Sequence, residues 1–380
     1  MKIYCLILAI ASISFTDNCE ANPVFGGFAS QSWVKTTDVK IAGNSDAKFG
    51  SLSRTEIGAF GTYDWTNNIS FRGMISSFRE GGYSNGTVGA NYALVDLHTE
   101  AQQIGIRIGK VSHSSGFYTG LINVPSFRDL EIPPQSLYRD GLRNFSHGGD
   151  GFQLYSDTQV AKDWRLCLEY TKTRPDLTDQ AELNKLLFIL PSVEFIPRST
   201  LEERSVKLVG HNFMIRYDRD KIDLAYDYPM HFKSRKIEIV HRFGVRRYFT
   251  AGDITAEYNY YQSPDHTHIQ PTSYDIVYRH YLTDKLTLIL GYDAYFSGRD
   301  DKNGTMQSAL FQQHGIDIVP EAFYSKAVSI GLKYKPKAIT YRAEVHAITG
   351  TSTAPASSND ITKLKAKRYS IVVLNATYSF

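Results

Sequence analysis

The tetrapeptide HSSG, in which His113 precedes Ser114, Ser115 and Gly116, contains side chains that could support catalysis. A histidine beside a serine can act as the base that activates a nucleophile. The alternative is a polar transition from a strand into a loop, with the glycine supplying the turn. Because neither serine of the pair lies within a G-x-S-x-G element, we favour the transition and keep a hydrolase as the alternative.

Three further stretches have the composition of a metal, redox or phosphate site. Asp265, His266 and His268 could bind a metal, but a polar loop gives them no fixed geometry. Cys167 is either a reactive thiol or a tolerated small side chain. The run SHGGDG at 146–151 lacks the helix that a phosphate cradle needs, so we interpret it as a loop returning to a strand. We expect no metal and no cofactor.

The beginning of the chain has the pattern of an export signal. One lysine precedes an apolar stretch at 3–15, and small residues surround a cleavage point after Ala21. We therefore expect residues 1–21 to be a secretory signal peptide and residues 22–380 to form one mature domain. Cys5 and Cys19 leave with the signal, so the remaining Cys167 cannot form an internal disulfide.

The composition narrows the class of protein further. The formal net charge is only +3, which gives no basic surface for nucleic acid. Hydrophobic residues make up 42% of the chain and aromatic residues 13%, with 25 tyrosines. After the signal no apolar run approaches the roughly 18 residues of a membrane helix. Many aromatic residues without helical spans favour a membrane β-barrel, whose lipid-facing band is bordered by aromatic girdles.

Alternating segments of about 8 to 14 residues recur along the chain, the length that a tilted barrel strand needs. About 16 such segments can be counted, so we expect about 16 strands. The even number returns both ends of the chain to the same side of the membrane. The candidate strands are 29–42, 53–63, 69–79, 91–98, 103–113, 151–160, 164–174, 206–218, 222–230, 237–249, 253–262, 273–282, 286–296, 322–334, 339–349 and 367–380.

The connections alternate between short turns and long polar loops. The short ones include 161–163, 219–221, 283–285 and 335–337, and the long ones are 114–150, 175–205, 297–321 and 350–366. A soluble sandwich has no reason to place its long loops at one end, whereas outer-membrane barrels have short periplasmic turns and long external loops. The alternation therefore predicts an all-β, transmembrane antiparallel barrel in the outer membrane, in contact with its lipid.

The block at 104–155 resembles a family of Gram-negative outer-membrane porins related to the phosphate-selective porins. The resemblance rests on the motifs at Arg107–Lys110, Gly116–Tyr118, Asn123–Pro125, Pro134–Asp140 and Asp150–Tyr155. The opening GGFASQSWVKTTD also resembles the first strand of that family. The resemblance implies a sixteen-stranded, homotrimeric channel for the diffusion of small solutes and ions, with a third loop that folds into the lumen.

The alternation of each strand assigns an inward face that carries both signs of charge. The inward arginines are Arg72, Arg107, Arg165, Arg216, Arg242, Arg246, Arg279 and Arg342. The inward acids are Glu169, Asp218, Asp223, Asp227, Glu238, Glu257, Asp275, Asp293 and Glu344. Because the two signs nearly balance, phosphate selectivity is not carried over from the resemblance, and we expect only a modest ion preference.

The loop at 114–150 is too long and too apolar to remain in solvent, so we expect it to pack against the inner wall. In porins the third loop sets the bore, and the resemblance falls on this stretch. The residues expected to form a constriction are Arg107 on the wall and Arg128, Asp129, Glu131, Arg139, Asp140 and Arg143 on the loop. Structural support of the barrel is the alternative role for each of them.

The last strand ends on an aromatic residue. Tyr378 and Phe380 fall on the apolar face of an alternating segment, which fits an interfacial anchor and the signal recognised by the outer-membrane assembly machinery. The sequence therefore predicts a porin for passive diffusion, without catalysis. A substrate-specific channel for phosphate or other anions and an outer-membrane hydrolase are the alternatives.

Overall fold

A computed structural model describes residues 23–80, 85–113, 115–118, 123–138, 148–175, 177, 194–195, 199–227, 233–262, 270–313, 315, 317–354, 359 and 366–380. Within these residues sixteen strands form one barrel. They are β1 Val24–Thr36, β2 Ser51–Thr66, β3 Ile69–Glu80, β4 Asn85–His98, β5 Ile104–Val111, β6 Gly149–Ala161, β7 Trp164–Pro175, β8 Thr200–Val209, β9 Phe213–Asp227, β10 Lys233–Phe249, β11 Gly252–Gln262, β12 Thr272–Tyr281, β13 Leu286–Phe296, β14 Tyr324–Tyr334, β15 Ile339–Thr349 and β16 Arg368–Ser379.

Every neighbouring pair of barrel strands is antiparallel, and the ladder closes on itself. The first strand pairs with β2 along one edge and with β16 along the other, where Phe28 lies opposite Ser379 and Thr36 opposite Ile371. A two-residue strand, Glu194–Phe195, adds to the far end of β9. The predicted all-β barrel of about 16 strands is therefore confirmed.

The alternation of apolar and polar side chains implies that hydrocarbon surrounds the barrel, and this explains why the sheet closes. In hydrocarbon an unpaired backbone N–H or C=O costs several kcal/mol, so a sheet can be stable there only when it has no edge. The last residue contributes to the closure: Phe380 N–H donates to Gly27 O at 3.1 Å, and Gly27 N–H donates to Phe380 O at 3.0 Å.

The side chains alternate as the period of two requires. Along β15 the even-numbered residues are buried and the odd-numbered ones exposed. The buried series contains Arg342, Glu344 and His346, whereas the exposed series contains Tyr341 and Val345. Charges inside a closed barrel and apolar residues outside it suit a polar interior and an apolar surrounding.

One predicted turn is wrong. Residues 219–221 were expected to separate strands 206–218 and 222–230, but β9 runs through them and the turn lies at 210–212. Arg219 and Lys221 alternate with Asp220 in an unbroken ladder opposite β8 and β10. Polar residues fill both faces here, so the pattern of apolar alternation is lost although the backbone pairing continues. Asp220 therefore belongs to the inward-facing series of β9, whereas Asp223 belongs to the series of the opposite face.

The first predicted strand, 29–42, is also displaced. The strand ends at Thr36, and Asp38 adopts a positive φ of 57°, which breaks the extended backbone. The alternation of Val39 and Ile41 with polar residues predicts that both belong to the strand. Instead they pack inside the barrel in an apolar cluster with inward-facing Ile348 and Ile371.

The connections at one end of the barrel are uniformly short, as at 67–68, 162–163, 210–212 and 250–251. The long ones, including 37–50, 112–148, 176–199 and 297–323, lie at the other end, although 81–84 and 228–232 at that end are short as well. One helix, α1 (Thr305–Gln313), lies in the connection before β14. Among the described residues there is no helix of the length and apolarity needed to cross a bilayer. The predicted signal at 1–21 lies outside the described residues.

The seam between β1 and β16 yields a test of closure. A Cβ added to Gly27 would come within 3 Å of the Phe380 ring, so Gly27→Val should destabilise the barrel by about 1–3 kcal/mol through overpacking. Urea unfolding of the refolded protein in lipid vesicles measures the change. The matched control is Gly89→Val on β4, where nothing lies within 4 Å of the added Cβ. Equal destabilisation by both variants would contradict a tightly packed seam.

Candidate functional site

The third connection at the long-loop end is described at 115–118 and 123–138, and this segment is bonded to inward-facing side chains. Its hydrogen-bond partners lie on β1, β2, β9 and β11 to β15. On β10 the Arg242 guanidinium lies 5.4 Å from the centroid of the Tyr138 ring. These contacts are therefore spread over one side of the inner wall. We call this segment the docked loop and the strands that hold it the docking wall.

A buried ion-pair network holds the middle of the docked loop. Glu131 accepts from Arg54 Nε at 2.9 Å, and Arg128 binds Glu56 at 2.5 Å and Glu131 at 3.3 Å. Arg54 also pairs with Glu80. All five side chains are at most 3% exposed. Each charge has a partner of opposite sign, which is the condition under which charges can be buried at all.

Strands β14 and β15 bind the same stretch through its backbone. Lys333 Nζ donates to Arg128 O at 2.7 Å, and Arg342 Nη2 donates to the same carbonyl at 3.0 Å. The carboxylate of Glu344 accepts from the N–H of Glu131 at 2.5 Å. Few hydrogen bonds form within the loop at this point. Wall side chains therefore bond to the loop's backbone groups, which burial of the loop removes from water.

The two ends of the docked loop are bonded to side chains of β9 and β11. Ser115 donates to Asp220 at 2.8 Å, and the N–H of Gly116 donates to Asp218 at 2.9 Å. Glu257 accepts from the N–H of Phe117 at 3.0 Å and from the hydroxyl of Tyr138 at 2.5 Å. Gly116 has a positive φ of 82°, a conformation that glycine adopts without strain.

Arg279 on β12 binds the loop at two points. It donates to the Tyr118 hydroxyl at 2.8 Å and pairs with Asp129 at 2.7 Å. Burial alone would raise the pKa of Asp129, but the adjacent Arg279 guanidinium more than offsets it, so the pKa lies below its usual value. Asp129 is therefore charged at neutral pH and is bound electrostatically to the wall.

The wall across the interior, from β3 to β6, carries a second and more open set of charges. Asp96 pairs with Arg72 at 3.1 Å and with Arg107 at 3.2 Å, and it accepts from the Tyr155 hydroxyl at 2.9 Å. Arg107 also donates to Gln153 at 2.6 Å and lies 4.2 Å from the centroid of the Tyr155 ring. The two arginine side chains are 27% and 25% exposed, so water reaches them although they face inward. We call this set the open wall.

The structure divides the predicted pore residues between these two environments. Arg72 and Arg107 lie on the open wall, and Arg165 is paired with Asp157 at 3.1 Å near the short-turn end. Four of the remaining predicted arginines are inward-facing but buried on the docking wall, namely Arg216, Arg242, Arg279 and Arg342. Arg246 on β10 pairs with Asp253 at 3.1 Å and keeps 22% of its side chain exposed.

On the loop, Arg128 and Glu131 are buried in the ion-pair network, whereas Asp129 keeps 18% of its side chain exposed. The predicted constriction residues Arg139, Asp140 and Arg143 lie outside the described residues. Six charged residues of these two environments are not among the predicted pore residues: Arg54, Glu56, Glu80, Asp96, Asp220 and Lys333. For Arg54, Glu56, Asp96 and Lys333 the alternation of the predicted strand was the available signal. Asp220 falls in the predicted turn at 219–221, and Glu80 lies just beyond the predicted strand 69–79, so alternation gave no signal for these two.

The candidate catalytic residues are engaged separately. His113 bonds to Thr173 at 2.9 Å, and burial lowers the pKa of this histidine to about 3, so it is neutral. Ser115 donates to Asp220 on a different strand, and Ser114 lies outside the described residues. Within the described chain no group of three His, Cys, Asp or Glu residues has the geometry of a metal site. The stretch with Asp265, His266 and His268 lies outside the description.

The buried ion-pair network predicts a large effect of a single substitution. Arg54→Ala would leave Glu80 and Glu131 short of a buried partner, and we expect a loss of about 3–5 kcal/mol in unfolding free energy. Arg165→Ala removes a largely exposed pair and should cost at most about 1 kcal/mol. Urea titration of both variants against wild type provides the comparison, and similar losses would contradict the network's structural role.

Comparison with known proteins shows the fold. No protein-family model and no characterised sequence matches the chain. Among solved structures, OmpT of Vibrio cholerae, an outer-membrane protein, is 12% identical, with a TM-score of 0.57 over 97% of this chain and 100% of that one. An anion-selective porin from Comamonas acidovorans is 11% identical, with a TM-score of 0.57 over 95% and 100% of the two chains.

The outer-membrane channel DcaP of Acinetobacter baumannii is 13% identical, with a TM-score of 0.53 over 96% of this chain and 99% of that one. These similarities span nearly the whole of each chain although few residues are shared. The protein therefore has the closed β-barrel fold of outer-membrane channels.

Proposed function

We propose that the protein is a porin, a water-filled channel for the passive diffusion of small hydrophilic solutes and ions across an outer membrane. The observation that carries the proposal is the solvent exposure of Arg72 and Arg107. Both face inward from the barrel wall, so their exposure indicates that water enters the interior beside the docked loop. The apolar outer face and the outer-membrane channels with the same fold support the membrane location.

The docked loop would set the bore. Its described residues are bonded to the docking wall, so the passage runs between the loop and the open wall. Arg128 and Glu131 are buried in ion pairs, and we propose that they hold the loop in position. Asp129 on the loop and Arg72 and Arg107 on the open wall keep exposed surface, and we propose that they face the passing solute. Arg165 and Arg246 are exposed as well, but they lie toward the short-turn end of their strands.

The charges at the passage support a weak preference for anions rather than strong selectivity. On the open wall two arginines share one carboxylate, Asp96, which leaves an excess of one positive charge. Asp129 on the loop is already paired with Arg279. A channel specific for phosphate would need several uncompensated cations, and the described open wall does not present such a series.

The remaining elements of the proposal concern assembly. Tyr378 and Phe380 lie on the outward face with their ring centroids 5.9 Å apart, a position suited to an interfacial anchor. Their role as the signal for the assembly machinery, and association of the barrel into a homotrimer, remain predictions. We propose passive diffusion without catalysis, since His113 and Ser115 bind partners on different strands.

Single-channel recording tests the bore. Removal of residues 119–144 should raise the conductance and admit larger sugars, because the docked loop would no longer occupy the interior. The matched control removes residues 305–313, the helix α1 outside the passage, and should leave the conductance unchanged. Wild-type conductance after the first deletion, in protein that still inserts, would place the constriction elsewhere.

Reversal potentials in a salt gradient test the selectivity. Arg107→Glu should shift the preference toward cations, and Asp96→Asn should shift it toward anions because Arg72 and Arg107 then lose their shared counter-charge. Arg165→Glu, at the short-turn end and away from the docked loop, is the matched charge control and should have a smaller effect. Shifts of the same sign in the first two variants would contradict the assignment of the open wall.

A further inference from the structure

A groove of about 600 Å³ lies on the outer surface of the barrel, at the end that carries the long loops. Its floor is formed by outward-facing aromatic side chains of three adjacent strands, Tyr258 on β11, Tyr274 on β12 and Phe296 on β13. The rings of Tyr274 and Phe296 are 6.2 Å apart. Aromatic residues at this level of a barrel mark the interface between hydrocarbon and headgroups.

The rim of the groove carries basic side chains from the loop that follows β13. Arg299 and Lys302 line the groove and are exposed. Neither forms an ion pair within the described residues. The Arg299 guanidinium lies 6.0 Å from the centroid of the outward-facing Tyr260 ring. The ring can interact with the face of the guanidinium, and the N–H groups at the guanidinium edge remain available as donors.

A third cation borders the same floor from the neighbouring strand. Lys326 on β14 places its Nζ 5.5 Å from the centroid of the Phe296 ring and 5.6 Å from that of Tyr324.

Two acids also belong to the groove. Asp301 is buried and accepts from the N–H of Gln307 at 2.9 Å, and Asp300 is exposed at the rim. Three cations against two carboxylates leave a net positive charge.

Helix α1 places exposed apolar side chains beside the groove, where Thr305 also forms part of the lining. Met306 is 67% exposed and lines the groove, and Leu310, one turn further along, is also exposed. Two exposed apolar side chains on one helix face, beside an aromatic floor and below a basic rim, match an amphiphile with an acyl chain and an anionic head.

We propose that this groove binds the phosphorylated headgroup of a lipid in the outer leaflet, with Arg299 and Lys302 on the phosphate and the aromatic floor against the upper part of the acyl chains. Basic side chains beside membrane-embedded surfaces recognise lipid phosphates in this way. The groove opens toward the membrane and not into the lumen. The inference therefore depends on the placement of the barrel in a membrane but not on the proposed conductance.

Native mass spectrometry of the folded barrel in a neutral detergent tests the proposal. The probes are dioleoyl phosphatidic acid and dioleoylglycerol, which share their acyl chains and differ by the phosphate. Wild type should bind phosphatidic acid about tenfold more tightly, the effect of about one charge-assisted contact. Arg299→Gln combined with Lys302→Gln should lower this binding to the level of dioleoylglycerol. Single-channel conductance of the double variant should stay at the wild-type value.

The matched control is Arg247→Gln, which removes an arginine from above the Phe249 ring at the opposite end of the barrel. Its affinity for phosphatidic acid should equal that of wild type. Lys302→Gln alone, on an exposed loop position, provides a second variant if the double substitution impairs folding. Equal binding of the two lipids by wild type, an equal loss in the control, or displacement of phosphatidic acid by equimolar inorganic phosphate would overturn the proposal.

Discussion

The closure of the backbone ladder between β1 and β16 is the constraint on which the other features depend. A sheet in hydrocarbon has no water to satisfy its edges, so the sixteenth strand must return to the first. The antiparallel register runs without a gap from Phe28 opposite Ser379 to Thr36 opposite Ile371. Once the ladder is closed, the period of two sends every second side chain inward, and the chain must provide a polar interior.

That interior is organised by charge pairing. On one side the docked loop buries apolar side chains such as Tyr118, Leu130 and Tyr138 against the wall, and its charges are matched by wall residues. On the other side Asp96 holds Arg72 and Arg107, which remain in contact with water. The same residue types thus occur in two physical environments: they fix the loop where they are desolvated, and they line a water-accessible part of the interior where they are hydrated.

The outer surface follows the complementary rule. Most outward residues are apolar because lipid surrounds them, and aromatic and basic side chains collect where the medium changes from hydrocarbon to headgroup. The groove beside Tyr274 and Arg299 lies at that boundary. The barrel wall separates the lumen from this groove. Charged residues on one face can therefore be substituted without changing the charges on the other face. This separation follows from the alternation of side chains across a single sheet.

The sequence by itself determined the class of fold, the strand number and the inward or outward series of β13 and β15, because alternation of apolar and polar residues is local information. It failed at 219–221, where polar residues occupy both faces of β9, and at 37–42, where alternating apolar residues pack inside the barrel. Only the tertiary structure paired Glu131 with Arg54 and separated buried Arg279 from exposed Arg107. Which inward charges are desolvated depends on where a loop docks, and contacts between residues so distant in the chain have no signature in strand periodicity.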